Sequence, residues 1–397
     1  MPSVIGVVGA GTMGAGIAQL AVEAGHRVRL HDVDAAAIER GRSRIRAGLE
    51  RRALRLDLDP DSADEWVAGR LALIDDAVSI QDAAEQAELV IEAALEDLAA
   101  KRAIFVALDA AAPETTLLAT NTSALSVADI AAATRRPAHV LGLHFFNPAP
   151  VMPLVEVVGT PSTVPAALER ATALVTSWGK VAVRCADTPG FIVNRVNRPF
   201  TLEALAILES GRGSVSGIDA AVRAAGYPMG PFELMDLIGL DVNLAAAYGV
   251  FEGTRARKDG LADRFRPSRI QERLVAGGRL GRKTGGGFYA YDPDGARIDE
   301  ARDIGGPDRV TAPLAPDLVA ERITLAIVNE AYRALGEGVA SAADIDLAMR
   351  LGAGHPVGPF ERAAALGGTE GVLAGLRRDA DGGPRFDPAP MLRNGST

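Results

Sequence analysis

The chain has 397 residues, 48 % of them hydrophobic and 23 % charged. That balance is ordinary for a globular protein of two or three domains. It excludes global disorder, a collagen-like repeat and a disulfide scaffold. The formal net charge of −9 disfavours a general nucleic-acid binder, and no long uncharged apolar run exists to cross a membrane. A single cysteine, Cys185, and an N-terminus without a targeting signal make the cytoplasm the expected location.

The first predicted element is a strand over Val4–Val8, a continuous apolar run of the kind buried in a parallel sheet. Gly9-Ala10-Gly11-Thr12-Met13-Gly14 follows, then an apolar helix over Ala15–Ala24, ended by Gly25. A second strand runs from Arg27 to His31 and stops at Asp32. Gly9 permits a tight turn, Gly11 lets a pyrophosphate approach the backbone, and Gly14 lets the helix pack closely. The helix N-terminus offers N–H groups and a positive dipole end to phosphates. Asp32, 18 residues beyond Gly14, is placed to accept hydrogen bonds from the adenosine ribose and to repel a 2′-phosphate. A glycine-rich loop by itself says little, but strand, helix and terminal acid together predict a dinucleotide site that prefers NAD to NADP. Its candidate residues are Gly9, Gly11, Thr12, Met13, Gly14 and Asp32.

A helix over Ala35–Leu58 carries Arg40, Arg42, Arg44, Arg46, Arg51, Arg52 and Arg55. Two readings stand: a solvated face, or a basic lip for an anionic substrate such as a nucleotide carrier. Asp57–Asp64 reads as a polar turn and Leu71–Ile74 as a short strand. Leu89–Ala94 is another buried strand, with Glu96 after it and Lys101 on the next helix, Ala99–Ala111. Groups at this end of a strand face the crevice of a doubly wound sheet, unless they merely pair on the surface. Leu117–Thr120 ends in Asn121-Thr122-Ser123, and Ser126 is placed to cap a helix over Val127–Thr134. The strand Val140–His144 is followed by Leu154–Val158, whose Glu156 lies twelve residues after His144. A carboxylate inside an apolar strand needs a partner. A histidine on the neighbouring strand supplies one, either as a structural pair or as a general base with its orienting acid.

At this point the residues resemble a family. His144-Phe-Phe-Asn-Pro148, Leu154-Val-Glu-Val-Val158 and Asp187-Thr-Pro-Gly-Phe-Ile-Val-Asn-Arg195 are similar to motifs of the L-3-hydroxyacyl-CoA dehydrogenases. So are Pro199-Phe200, Glu203-Ala204, Gly230-Pro-Phe-Glu-Leu234, Gly281-Arg-Lys-Thr-Gly285 and Gly287-Phe288-Tyr289, all in order between Val4 and about Tyr291. The resemblance implies NAD-dependent oxidation of a 3-hydroxyacyl thioester to the 3-ketoacyl thioester, or the reverse. His144 is implied as the base and Glu156 as its orienting carboxylate. Ser123 and Asn194 are implied to hold substrate and nicotinamide, while Glu96, Lys101 and Asn121 join the cofactor set. No metal is implied. Short substrates, 3-hydroxybutyryl-CoA or 3-hydroxyadipyl-CoA, are expected. The runner-up readings are a dehydrogenase of free hydroxy or sugar acids, and a non-catalytic NAD-binding protein. Ala124 departs from the family's usual Asn-Thr-Ser-Ser run, and the arginine-rich helix does not align with its usual coenzyme A contacts.

From Asp187 the chain reads as helical, with one long helix over Phe191–Glu209 and another starting near Ser216. The C-terminal third repeats the pattern. Ile218-Asp219 parallels Ile345-Asp346, Glu203-Ala204 parallels Glu330-Ala331, and Gly230-Pro-Phe-Glu233 parallels Gly358-Pro-Phe-Glu361, at offsets of 127 to 128 residues. Asn194 then maps to Glu321, so the second copy lacks the implied site amide. Single-copy members of the family pair through this domain. The expectation is therefore an α/β plus all-α chain: an N-terminal Rossmann doubly wound sheet over residues 1–186, a helical domain over 187–300, and a second, degenerate copy over 316–378. Arg302–Pro316 is the expected linker and residues 379–397 a loosely held tail. An acyl-CoA is the expected small-molecule partner, with no nucleic acid and no membrane. The expected assembly is a monomer with internal domain pairing, or a homodimer.

Overall fold

A computed structural model of the chain describes residues 3–258, 260–300 and 312–393. They form two compact units, residues 1–187 and 188–397. The first is built on an eight-stranded sheet in the order β3-β2-β1-β4-β5-β6-β7-β8. The strands are β1 (Val4–Val8), β2 (Arg27–His31), β3 (Ile74–Asp76), β4 (Leu89–Glu92), β5 (Leu117–Thr120), β6 (Val140–Phe145), β7 (Leu154–Gly159) and β8 (Val181–Ala186). All neighbouring pairs are parallel except β6 and β7. The chain reverses its direction of growth at β1, which lies between β2 and β4, so a crevice opens at the carboxyl ends of β1 and β4.

Helices cover both faces. The helices α1 (Thr12–Glu23) and α2 (Ala35–Arg55) pack on one face with Ile17, Leu20, Ile45 and Leu49. α3 (Pro60–Leu71) follows, where a polar turn was expected. Asp59 accepts from the backbone N–H of Ser62, and Pro60 fills the first helical position, which needs no donor. The strand expected at Leu71–Ile74 is displaced to Ile74–Asp76 for the same reason. The other face is covered by α4 (Ile80–Ala84), α5 (Leu98–Ala111) and α6 (Val127–Ala131), through residues such as Phe105, Leu108 and Ile130. Ser126 caps α6, as its position predicts, and Asp187 accepts from Ser126 Oγ and the Ala128 N–H. α7 (Pro165–Ser177) connects β7 to β8.

The second unit is mainly helical, with one antiparallel strand pair formed by Tyr289–Tyr291 and Arg297–Glu300. The single helix expected over Phe191–Glu209 is broken into α8 (Val193–Val196) and α9 (Arg198–Glu209). Phe191 takes a left-handed backbone with φ 50°, and Pro199 cannot donate into a continuous helix. The unit continues with α10 (Val215–Ala224), α11 (Pro231–Ile238), α12 (Leu240–Ala256) and α13 (Arg269–Ala276). From Pro316 onward come α14 (Pro316–Gly336), α15 (Ala342–Ala353), α16 (Pro359–Ala365), α17 (Gly368–Arg378) and α18 (Pro390–Arg393). Residues 302–311 of the expected linker lie outside the described residues. The expected loose tail differs from what is found up to Arg393. Phe386, Ala389 and Leu392 are buried against Leu325, Val328 and Leu376, so residues 380–393 belong to a core.

The parallel landmarks have parallel bonding. Asp219 accepts from the N–H groups of Phe232 and Glu233, and Asp346 from those of Phe360 and Glu361. The contacts between the two stretches are reciprocal. Arg195 and Arg264 of the first converge on Glu330 of the second, at 2.8 and 2.7 Å. Arg322 and Arg385 of the second converge on Glu203 of the first, both at 2.7 Å. Asn197 bonds His355, while Thr324 bonds Tyr227. Residue i meeting j while j's counterpart meets i's counterpart is the signature of a two-fold interface, here formed within one chain.

Candidate active site

The glycine turn after β1 sits at the crevice. Gly9 has φ 104°, and a Cβ there would lie 2.6 Å from the Ala93 carbonyl oxygen. A Cβ on Gly14 would lie 1.7 Å from the Gly9 oxygen, so this glycine lets α1 start directly against the turn rather than against the strand. Gly11 faces open space and is the N-cap of α1, with no side chain capping the first-turn N–H groups. Thr12 is exposed beside it, whereas the Met13 side chain packs on the core, leaving its backbone toward the turn. Asp32, at the end of β2, accepts from the Ala10 N–H at 2.6 Å and from the Val33 N–H at 2.7 Å. The carboxylate thus braces the turn and keeps further lone pairs for a ribose. An uncapped helix start, a side-chain-free cradle and a terminal acid fit a dinucleotide: the turn and α1 would hold the pyrophosphate and Asp32 the adenosine ribose.

The carboxyl ends of β4 and β5 carry a polar cluster with Glu92, Lys101 and Thr120 buried and Glu96 at its exposed edge. Lys101, 1 % exposed, donates to Glu92 Oε1 at 2.7 Å and lies 3.4 Å from Glu96 Oε2. Glu92 also accepts from Thr120 Oγ1 at 2.7 Å. Glu96 accepts from Thr122 Oγ1 at 2.6 Å and from the Ser123 N–H at 3.0 Å. The cluster therefore fixes the loop that carries Ser123, and the surface-pair reading of Glu96 and Lys101 fails because the lysine is buried. Glu92 escaped sequence reasoning. The signal was present, since it ends the apolar run Leu89-Val90-Ile91 and needs a partner just as Glu156 does. Asn121 Oδ1 accepts from the Phe145 N–H at 2.9 Å, which ties β5 to the end of the histidine strand.

His144 and Glu156 are register partners on the antiparallel strands β6 and β7. Nδ1 of His144 lies 2.6 Å from Glu156 Oε2, with the carboxylate fully buried and the imidazole 8 % exposed. A carboxylate only accepts, so Nδ1 carries a hydrogen, and in the neutral form of the ring the lone pair is then on Nε2. The Phe146 ring lies against the imidazole at 4.5 Å. Asn194 lies in the second unit, on the one-turn helix α8, next to the buried Arg195.

A cavity of about 690 Å³ opens between α1, α2 and the β6–β7 connection. Arg44, Arg51, Arg52 and Arg55 line it, so part of the arginine-rich face borders a cavity. Lys180, also in its wall, is buried and donates to the carbonyl oxygens of Ala149 and Met152 at 2.7 and 2.8 Å. Burial lowers its pKa to about 8, against the attraction of Glu23.

The family described as 3-hydroxyacyl-CoA dehydrogenase, NAD binding domain, matches residues 4–188. The 3-hydroxyacyl-CoA dehydrogenase C-terminal domain matches twice, over 190–291 and 318–394. The chain is 38 % identical to the 3-hydroxyadipyl-CoA dehydrogenase of Escherichia coli (strain K12), over 98 % of this chain and 96 % of that protein. It is 42 % identical to the mitochondrial hydroxyacyl-coenzyme A dehydrogenase of Rattus norvegicus, over 72 % of this chain and 90 % of that one. The crystal structure of 3-hydroxybutyryl-CoA dehydrogenase from Escherichia coli K12 superposes with a TM-score of 0.86 at 37 % identity, covering 99 % of this chain and 98 % of that chain. With a cradle for the dinucleotide, a buried His–Glu pair on adjoining strands and family matches across both units, the chain belongs to the 3-hydroxyacyl-CoA dehydrogenase family and is an NAD-dependent oxidoreductase.

Proposed function

We propose that the protein oxidises short (S)-3-hydroxyacyl-CoA thioesters to 3-ketoacyl-CoA, reversibly, with His144 as the general base. The observation that carries this reading is the buried 2.6 Å contact between His144 Nδ1 and Glu156 Oε2. It orients the ring so that Nε2 takes the proton from the 3-hydroxyl as the C3 hydrogen leaves. The imidazolium formed at that moment is stabilised by the Glu156 carboxylate. NAD, when bound, supplies the two-electron acceptor. Ser123, on the loop fixed by Glu96, and Asn194 hold the thioester and the nicotinamide in register. Positioning is most of what such a transfer asks of the protein.

The arginine-lined cavity supports a phosphate-bearing carrier on the substrate rather than a free acid. The relatives named for 3-hydroxyadipyl-CoA and 3-hydroxybutyryl-CoA support acyl groups of four to six carbons. The reciprocal contacts of the second unit support a chain that supplies both halves of its pairing surface, and so a monomer. A sequence with one cysteine, and so no internal disulfide, supports work in the cytoplasm.

The test is a turnover panel of 3-hydroxybutyryl-CoA, 3-hydroxyadipyl-CoA, longer homologues and the corresponding free acids. A kcat/KM for the free acids equal to that for the thioesters would overturn the assignment of the carrier. Arg51→Ala and Arg52→Ala should raise KM for the coenzyme A thioester by about three- to tenfold. Neither should change KM for the N-acetylcysteamine thioester, which lacks the phosphates.

A further inference from the structure

Asn194 stands on a helix of four residues, Val193–Val196. The helix joins α9 through Asn197, whose backbone stays helical at φ −81° and ψ −8°, and Pro199, which has no N–H, interrupts the hydrogen-bond ladder between the two. The turn before it is strained, with Phe191, a non-glycine residue, at φ 50°. Strain of this kind persists only where the surroundings over-determine the backbone. In the second copy the equivalent stretch lies inside α14, a continuous helix of 21 residues. The broken, externally held arrangement is therefore a property of the first copy, where the amide is.

The anchor is the residue beside Asn194. Arg195 is 2 % exposed, and three of its five N–H groups donate to carboxylates of the second copy. Nε donates to Glu330 Oε1 at 2.8 Å, Nη1 to Glu337 Oε2 at 2.9 Å, and Nη2 to Glu337 Oε1 at 2.7 Å. Arg257 closes the other side, donating to Glu337 Oε2 at 2.8 Å. Glu330 has a counterpart in the repeat, because Glu203 does the same for Arg322. Glu337 has none: the position 127 residues earlier is Ser210, and Arg322 is completed instead by Asp381, at 2.9 Å. A bidentate carboxylate fixes the plane of a guanidinium as well as its place. Only the copy that carries the amide receives this clamp from the helix end of the other.

We propose that Glu337 is a positioning residue for the dehydrogenation: from the second copy it locks Arg195, and through Arg195 it locks the one-turn helix that presents Asn194. The proposal rests on the reading of Asn194 as a group that holds the reactants. It gives the second copy a part in turnover although it lacks a site amide of its own.

The experiment is a double-mutant cycle with an internal control, run on the full chain. Glu337→Ala should lower kcat by about tenfold, the scale of an ångström-sized misplacement. Asp381→Ala, which removes one of the two carboxylates on the equivalent arginine of the second copy, should leave kcat within about twofold while the melting temperature falls. In an Asn194→Ala background, Glu337→Ala should change kcat by less than about twofold, because the group it positions is gone. Should Glu337→Ala fail to fold, Glu337→Gln keeps the volume and one acceptor and should show the same pattern with a smaller loss. Wild-type kcat in the folded Glu337 variants, equal losses from the Glu337 and Asp381 variants, or full additivity with Asn194→Ala would each overturn the proposal. Wild-type turnover in Asn194→Ala alone would overturn the reading of Asn194, and the proposal with it.

Discussion

Replacing Glu156 by glutamine isolates what the carboxylate gives His144. The amide has nearly the same shape and sits in the same fully buried position on β7, so packing is preserved. What is lost is the negative charge 2.6 Å from Nδ1. A hydrogen bond to a charged partner is worth about 1.5–3 kcal/mol net. A neutral imidazole gains little of this, and the imidazolium formed during proton transfer gains most. At about 1.36 kcal/mol per decade, the loss falls on kcat as roughly ten- to 150-fold. His144→Ala removes the base itself and should cost about 10²–10⁴ in kcat. Neither change touches the glycine turn or Asp32, so the Kd of NAD should stay within about twofold. The assay is the appearance of NADH with 3-hydroxybutyryl-CoA, with calorimetric titration of NAD alongside. Turnover of Glu156→Gln within about twofold of wild type would refute the reasoning, since the pair would then be structural.

Gly14→Ala would set a Cβ 1.7 Å from the Gly9 oxygen, so the start of α1 must move by more than an ångström, and NAD affinity measured by titration should fall by at least about tenfold. Asp32→Ala should narrow the preference for NAD over NADP, chiefly by raising KM for NAD, as a comparison of kcat/KM would show; a native preference for NADP would mean the acid does not face the ribose. Although burial alone would raise it, the Arg195 and Arg257 guanidiniums hold the Glu337 carboxyl down to about 2, against an ordinary 4.5. A carboxyl held low in the folded state stabilises fully above its unfolded pKa and loses that contribution as pH falls from about 4.5 to 2. The difference in melting temperature between wild type and Glu337→Gln should therefore shrink across that window. Truncation before Ala380 removes the buried Phe386 and Leu392, at about 1.5–3 kcal/mol each, and should lower the melting temperature by several degrees.

Much of the first unit could be read from the residues, because its elements are defined by local signals. An apolar pentapeptide, three glycines and a terminal acid place β1, α1 and β2 within three residues, α1 starting at Thr12 rather than Ala15. An acid in an apolar strand demanded a partner, and β-sheet register delivered it: Glu156 faces His144 on the adjoining strand. The same logic applied to Glu92, but its partners Lys101 and Thr120 come from a helix and from another strand. Nothing in the spacing announces that meeting. α3 was hidden because its acids and serine, a turn composition, act as cap and first turn once Pro60 starts the helix. The break between α8 and α9 and the burial of Phe386 come from tertiary packing, which an apolar period does not encode. The repeat itself was visible as matched landmarks. The exchange of arginines and glutamates between its copies depends on residues 66 to 182 positions apart and appears only in the folded unit.

That exchange changes how the pairing surface responds to dilution. Two separate molecules that meet through a two-fold surface come apart when their concentration falls below the dissociation constant, and their stability depends on concentration. Here both halves belong to one chain, so the encounter is intramolecular and is governed by an effective concentration that does not vary with the amount of protein. The surface also no longer has to serve two identical partners. One half can keep the asparagine at position 194 while the other places Glu321 there and spends it on an ion pair with Arg378. A substitution that would appear twice in a symmetric dimer appears once in this chain, so each half is free to specialise without disturbing the other.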